Sequence, residues 1–321
     1  VDPSIARKVS AANTFDAVAD EWLGRQAAEG RSSVTVKKNT WVLSLARPAI
    51  GPRPVAEITS AECLVILQEL QRRGTLETAH RVRAIVGAVF RFAIATDRAK
   101  TDPTVALAGA ITAPRVKHRA ALLDPAQFGG LLREIADFEG QATTKVALML
   151  CAILAPRPGE LRHAEWSEFD LDGATWSVPA GRMKMRKPHV VPLPKQAIIL
   201  LRELYLLTGK GQLLLPSIRD PKRPISENTL NAALRRLGYT KDQASAHGFR
   251  ATFSTLANES GKWSPDSIER QLAHADPDAV RGAYARGAYW EERVKLAQWW
   301  ADECDRMRAG GTVVLLKYAR A

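Results

Sequence analysis

The sequence predicts a mainly α-helical chain in two domains, the second carrying a small antiparallel β-hairpin or sheet. Three observations support this. Apolar residues recur at helical spacing along most of the 321 residues. A basic, Pro-containing stretch at 112–122, with Pro114, Arg115, Lys117 and Arg119 and no apolar period, reads as an interdomain linker. Two short alternating segments, 174–179 and 189–192, flank a polar basic turn and read as a hairpin.

The elements follow in order. Thr14 suits a helix cap, ahead of Phe15, Val18, Trp22 and Leu23 on one face. A second helix is expected over 33–46, with Val34, Trp41 and Leu45 inward and Lys37 and Lys38 outward; Pro48, Pro52 and Pro54 then break the chain. Thr59 and Glu62 have capping-box spacing before Leu64, Leu67 and Leu70, and Gly74 closes that helix. A long helix at 75–96 buries Ile85, Val86, Val89 and Phe90 and carries His80, Arg81, Arg83 and Arg91 around the rest. Beyond the linker, Asp124-Pro125 pairs an N-cap with a proline at the first helical position. Two helices lead to Leu154, the hairpin follows, and further helices are expected over 194–207, 226–237, 247–259, 265–274 and 289–307.

A hydrophobic fraction of 46% suffices for a core in each domain. The net charge of +12 and pI near 9.8 point to a polyanionic partner, because a cation placed on a phosphate releases a counterion. Residues 1–120 carry 18 Lys and Arg against 11 Asp and Glu, so the smaller region is the more densely basic. Cys63, Cys151 and Cys304 stand apart without metal or disulfide spacing, which implies buried thiols and a reducing, cytosolic setting. The longest apolar run, 146–156, is too short to span a bilayer. No basic-then-apolar leader follows Val1. No Asp, Glu and His cluster has ligand spacing, which argues against a metal-dependent nuclease.

The chemistry lies in separated segments. Arg157, in Pro156-Arg157-Pro158-Gly159-Glu160-Leu161, follows an apolar helix and precedes another, a place that suits an anion; pairing with Glu160 is the alternative, and the two are compatible. His247 and Arg250 lie three apart in a helix and converge on one side, with Phe249 directed inward. Lys184 sits among Arg182, Arg186 and Lys187 in the hairpin turn. His274 ends a helix and Tyr284 follows ten positions later. A tyrosine with a pKa near 10 needs a base or a strong positive potential before it attacks. Two guanidiniums to hold a phosphate, imidazoles and an ammonium to move protons, and a phenol to attack make a phosphodiester-cleaving set.

Together, Arg157-Pro158-Gly159-Glu160-Leu161, Met183-Lys184, His247-Gly248-Phe249-Arg250, Leu272-Ala273-His274 and Ala283-Tyr284 resemble the tyrosine recombinase (phage integrase) family, most closely its satellite-phage-like prophage or genomic-island integrases. The resemblance implies a remnant of an upstream arm-binding domain or linker at 1–13. A helical, SAM-like core-binding domain at 14–111, the linker at 112–122 and a mixed α/β catalytic domain with a C-terminal tail at 123–321 would follow. It assigns Arg157 and Arg250 to the non-bridging phosphate oxygens and Lys184 to protonation of the departing 5′ oxygen. His247 would exchange a proton with the tyrosine, His274 would bond the phosphate, and Tyr284 would carry the 3′-phosphotyrosine. Glu160 would orient Arg157. Because the covalent link conserves the bond energy, no metal, ATP or other cofactor is expected. Pro156 departs from the family's small or β-branched residue there and is expected to end the preceding helix early. Tyr289 is a competing nucleophile.

The expected partner is double-stranded DNA at attachment sites, held between the two domains. Lys37, Lys38, Arg81, Arg83, Arg91, Arg182 and Arg186 are candidate contacts. The resemblance further implies a homotetramer on DNA, a monomer when free, and a place for an accessory bending protein and a directionality factor. It implies a bacterial, nucleoid-associated location with no membrane. The apolar tail Val313, Val314, Leu315 and Leu316, after a Gly-Gly hinge, is expected to dock on its own or a neighbouring subunit. Rival expectations are a type IB topoisomerase that relaxes DNA without exchanging partners, and a non-catalytic DNA-binding regulator.

Overall fold

In this computed structural model residues 13–114, 120–183, 187–274 and 289–310 are described. The chain divides into two compact units, Val1–Lys117 and His118–Ala321.

The first unit is helical. Thr14 Oγ1 accepts the Ala17 N–H and starts α1 (Phe15–Ala28); Ser32 does the same for α2 (Ser33–Ser44) through Thr35. A single turn, α3 (Arg47–Ile50), follows. α4 (Ser60–Arg72) opens with the expected capping box between Thr59 and Glu62, and α5 (Leu76–Ala95) completes the bundle. The core gathers Phe15, Val18, Trp22, Val42, Leu43, Leu67, Val86 and Phe90, with the Phe15 and Phe90 rings 5.8 Å apart.

Two expectations fail here. Pro48 does not end helical structure; it falls in the first turn of α3, where its missing N–H has no helical partner to lose. The inward face of α2 is rotated from the one expected. Asn39, Val42 and Leu43 are buried, while Val34 and Trp41 are 74% and 51% exposed. The cause is a polar residue. Asn39 donates through Nδ2 to Gln26 Oε1 at 2.8 Å, so it is buried with its amide bonded, which an apolar pattern does not register.

The second unit is mixed. Asp124 accepts the Gln127 N–H and starts α6 (Pro125–Ala136), followed by the apolar α7 (Ala142–Leu154) and the short α8 (Pro158–Arg162). A three-stranded antiparallel sheet comes next, β1 (Phe169–Asp170), β2 (Thr175–Val178) and β3 (His189–Pro192), with Trp176 opposite both Phe169 and Val191. β1 was not expected, because two residues carry no alternation to read. Among the described residues, α9 (Lys195–Thr208), α10 (Thr229–Arg236), α11 (Gly248–Glu259) and α12 (Pro265–Gln271) precede the long α13 (Trp290–Ala309).

α13 closes the core against α6 and α7. Trp300 is 1% exposed, stacks 6.0 Å from Phe128, and gives its indole N–H to Ala152 O at 2.8 Å. Gly129 on α6 lies against the Met307 backbone so closely that an added Cβ would collide with that carbonyl. Arg133 donates to Arg308 O at 3.0 Å, satisfying a carbonyl at the end of α13. Among the described residues no helix is long and apolar enough to cross a membrane.

Candidate active site

Left-handed breaks after two helices, at Ala155 and Ala273, help bring the candidate residues together. α7 stops at Leu154, and Ala155 turns left-handed at φ 46°, ψ 42°. Pro156 disfavours the right-handed helical region for the residue before it, so the helix ends where the proline was expected to end it. Arg157 then caps α8, its N–H and its Nη1 both given to Glu160, at 3.3 and 2.8 Å. Its Nη2 crosses to Ala273 O at 2.9 Å.

Arg250, in the first turn of α11, is 5% exposed. It donates through Nη1 to Ala155 O at 2.8 Å and through Nη2 to Leu272 O at 2.6 Å. The same Nη2 lies 3.0 Å from His274 Nε2. A guanidinium has only donors, so His274 Nε2 accepts, and its Nδ1 carries the proton given to Glu269 Oε2 at 2.6 Å. Ala273, whose carbonyl takes Arg157, is itself left-handed at φ 50°. The carbonyls at the end of α12 thus receive both guanidiniums, where the helix presents its unpaired, partly negative C=O groups.

The electrostatics are cationic. Burial, then the neighbouring charge of Arg157, brings Arg250 down to about 10, so it remains charged at neutral pH. His189, on β3, is pushed down to about 4 by burial and then by Arg293, with Arg157 and Arg250 adding to this; it is a neutral imidazole. Its Nε2 is sealed from solvent and has no hydrogen-bond partner among the described residues.

The structure therefore brings Arg157, Arg250, His274 and Glu160 together. His247 caps α11 and is half-buried, three residues ahead of Arg250. The start of α11 is fixed because Gly248 rests on Ala120 O, leaving no room for a Cβ. Lys184, Arg186, Tyr284 and the tail after Gly310 lie outside the described residues. The competing Tyr289 caps α13 and gives its hydroxyl to Asp266 Oδ2 at 2.9 Å.

The candidate DNA contacts differ among themselves. Lys37 and Lys38 are exposed on α2, on the same face as Val34 and Trp41. Arg81 lies 3.5 Å from Glu77 and Arg91 3.1 Å from Asp102. Arg83 is half-buried and donates to Thr104 O at 3.4 Å. Arg182 is turned inward, bonded to His163 O and Glu168, where it braces the segment after α8. Cys63 and Cys151 are buried thiols, pushed up to about 12 by burial. Sequence reasoning missed Glu269 and His189: Glu269 lies in the last turn of α12, five residues before the histidine it holds, and His189 is marked only by the strand it opens.

Comparison with known proteins places the chain in a family. Residues 15–110 match the phage integrase central domain and residues 122–290 match the phage integrase family domain. The integrase of Enterobacteria phage P4 is 34% identical over 96% of this chain and 74% of its own length. The prophage integrase IntZ of Escherichia coli is 35% identical over 92% of this chain and 72% of its own. Among solved structures, a lambda integrase tetramer bound to a Holliday junction superposes with a TM-score of 0.67 at 20% identity, covering 87% of this chain and 83% of that one. None of these matches favours the topoisomerase or the non-catalytic reading.

Proposed function

The chain belongs to the phage integrase family, and on that premise we propose how this site-specific DNA recombinase divides the work of cleavage among its residues. The observation that carries the reading is the convergence of Arg157 and Arg250 on the carbonyls at 272 and 273, with His274 on the second guanidinium.

A scissile phosphate takes the place of carbonyl contacts on both arginines, which then hold its two non-bridging oxygens. The Tyr284 oxygen attacks phosphorus while the bond to the 5′ oxygen breaks. His247 takes the phenol proton and Lys184 gives one to the departing 5′ hydroxyl, so charge and protons balance. Negative charge grows on the oxygens the arginines hold, and fixed cations there lower the barrier by roughly 3–4 kcal/mol for each donor. Once Arg250 turns from His274 to the phosphate, the imidazole Nε2 is released to take up a proton and donate to the same group, while Nδ1–H keeps its bond to Glu269. The product is a 3′-phosphotyrosine. Attack by the 5′ hydroxyl of a second duplex reverses each step and exchanges strands.

The substrate is duplex DNA at attachment sites, bound in part by Lys37 and Lys38 on α2, and four copies assemble on it. The tetrameric lambda integrase complex supports this, as does the net charge of +12. Accessory bending and directionality proteins are a further part of the reading.

A nicked suicide duplex, from which the freed strand diffuses away, tests the assignment. The native chain traps a covalent adduct, Tyr284→Phe abolishes it, and Tyr289→Phe retains it. Adduct in Tyr284→Phe, or its loss only in Tyr289→Phe, overturns the choice of nucleophile. A two-site recombination assay beside a supercoil-relaxation assay distinguishes strand exchange from relaxation.

A further inference from the structure

Beyond the groups assigned above, one buried cation reaches the same corner of the molecule. Arg293, in the first turn of α13, is 8% exposed. Its Nε donates to Gln271 Oε1 at 3.0 Å, its Nη2 to Val190 O at 2.6 Å, and its guanidinium lies 5.5 Å over the Trp290 ring. Among the described residues no carboxylate lies within ion-pair distance of it. A buried charge without a counter-ion is costly unless its hydrogen bonds are well made. Here they tie three elements, α12, α13 and β3, at one point.

That point is Gln271, itself 6% exposed and the last residue of α12. Its side chain takes Arg293 and its backbone takes the ring of His189. The next two carbonyls take Arg250 and Arg157. Three consecutive residues therefore hold three arginines and a histidine. Successive peptide planes are rigid and their Cα atoms stand about 3.8 Å apart, so displacement of the first carries to the others.

We propose that Arg293 is a positioning residue for strand cleavage: by fixing Gln271 to α13 and β3, it sets the two carbonyls against which Arg157 and Arg250 are aligned. Among the described residues its bonds run to Gln271 and Val190 rather than to Arg157 or Arg250. The inference rests on the cleavage reading above. His189 feels the charges of Arg293, Arg157 and Arg250 and reports on the arrangement, since Arg293 is the strongest of the charges that keep its ring neutral. Lysine does not replace Arg293, because an ammonium lacks the planar fork that reaches two acceptors in fixed directions.

The test uses the whole chain on the nicked suicide duplex, with adduct formation followed at saturating DNA and affinity measured separately. Native adduct formation is the control; its failure rejects the cleavage reading and leaves Arg293 out of the question. Given a competent native chain, Arg293→Gln and Arg293→Lys lower the rate at saturating DNA about 100-fold, the scale of a 1 Å misplacement, with affinity unchanged. In Arg293→Gln the His189 ring, followed by NMR, titrates at higher pH than in the native chain. Should that variant unfold, Gln271→Met decides, since it removes the same bond and leaves the Val190 contact; a comparable fall in rate is expected. A native rate in Gln271→Met or in Arg293→Lys, or a fall in affinity that accounts for the whole loss, overturns the proposal.

Discussion

His189 is half-buried and feels the charges of three cations: Arg293 on α13, Arg157 ahead of α8 and Arg250 on α11. Its ring is brought from the ordinary 6.5 down to about 4, so the folded chain refuses a proton that the unfolded chain accepts. The unfolded state therefore binds more protons between those two values, and stability falls as pH drops through that window. Each pH unit there removes about 1.4 kcal/mol, about 3 kcal/mol in all. Denaturant unfolding of the native chain and of His189→Asn, compared from pH 6.5 to 4.5, is expected to show a steeper loss in the native chain. Parallel curves would mean that the imidazole does not carry this burden. At this scale the meeting of Arg157, Arg250 and His274 was anticipated in the sequence, because the anion chemistry proposed for them restricts the residue types that serve it. Arg293 and His189 were not. Their partners are backbone carbonyls and an amide, which every position possesses and no pattern marks.

Among the elements, α13 is fastened at both ends. Near its start Arg293 bonds Gln271, Tyr289 bonds Asp266 and Glu292 accepts from the Ser264 N–H at 2.8 Å, all at α12 or its cap. Near its end Gly129 admits the Met307 backbone. Gly129→Ala places a methyl group on a carbonyl that cannot rotate away, and overpacking of this kind costs about 1–3 kcal/mol. A lowered denaturant midpoint with an unchanged slope is the expected result; a midpoint equal to the native one would show that α6 and α13 separate freely. The helix starts were readable because caps are local: Thr59 with Glu62, and Asp124 with Pro125, need only their own neighbours. The face of α2 was not, since burial of Asn39 depends on Gln26 in another helix. β1 was unreadable for a different reason, being too short to alternate and defined by its pairing with β2.

Across the whole molecule, affinity for a duplex is a sum over charges. The net +12 and the exposed Lys37 and Lys38 predict a steep decline of binding with salt, roughly −0.9 in log-log slope per neutralised phosphate. Replacing both lysines by alanine is expected to flatten that slope by about 2 and to weaken binding evenly across sequences. A slope unchanged by the double substitution would remove α2 from the contact surface. The two-unit division was legible from the basic, Pro-containing stretch, since a segment without apolar period has no core to join.

The guanidiniums of Arg157 and Arg250, proposed to hold the scissile phosphate, both rest on backbone carbonyl oxygens. On that proposal a phosphate has to displace carbonyl contacts before the pair can grip it, so inorganic phosphate alone is expected to compete poorly with a duplex held at many points. The latch would then answer to the length of the ligand rather than to its reactive group.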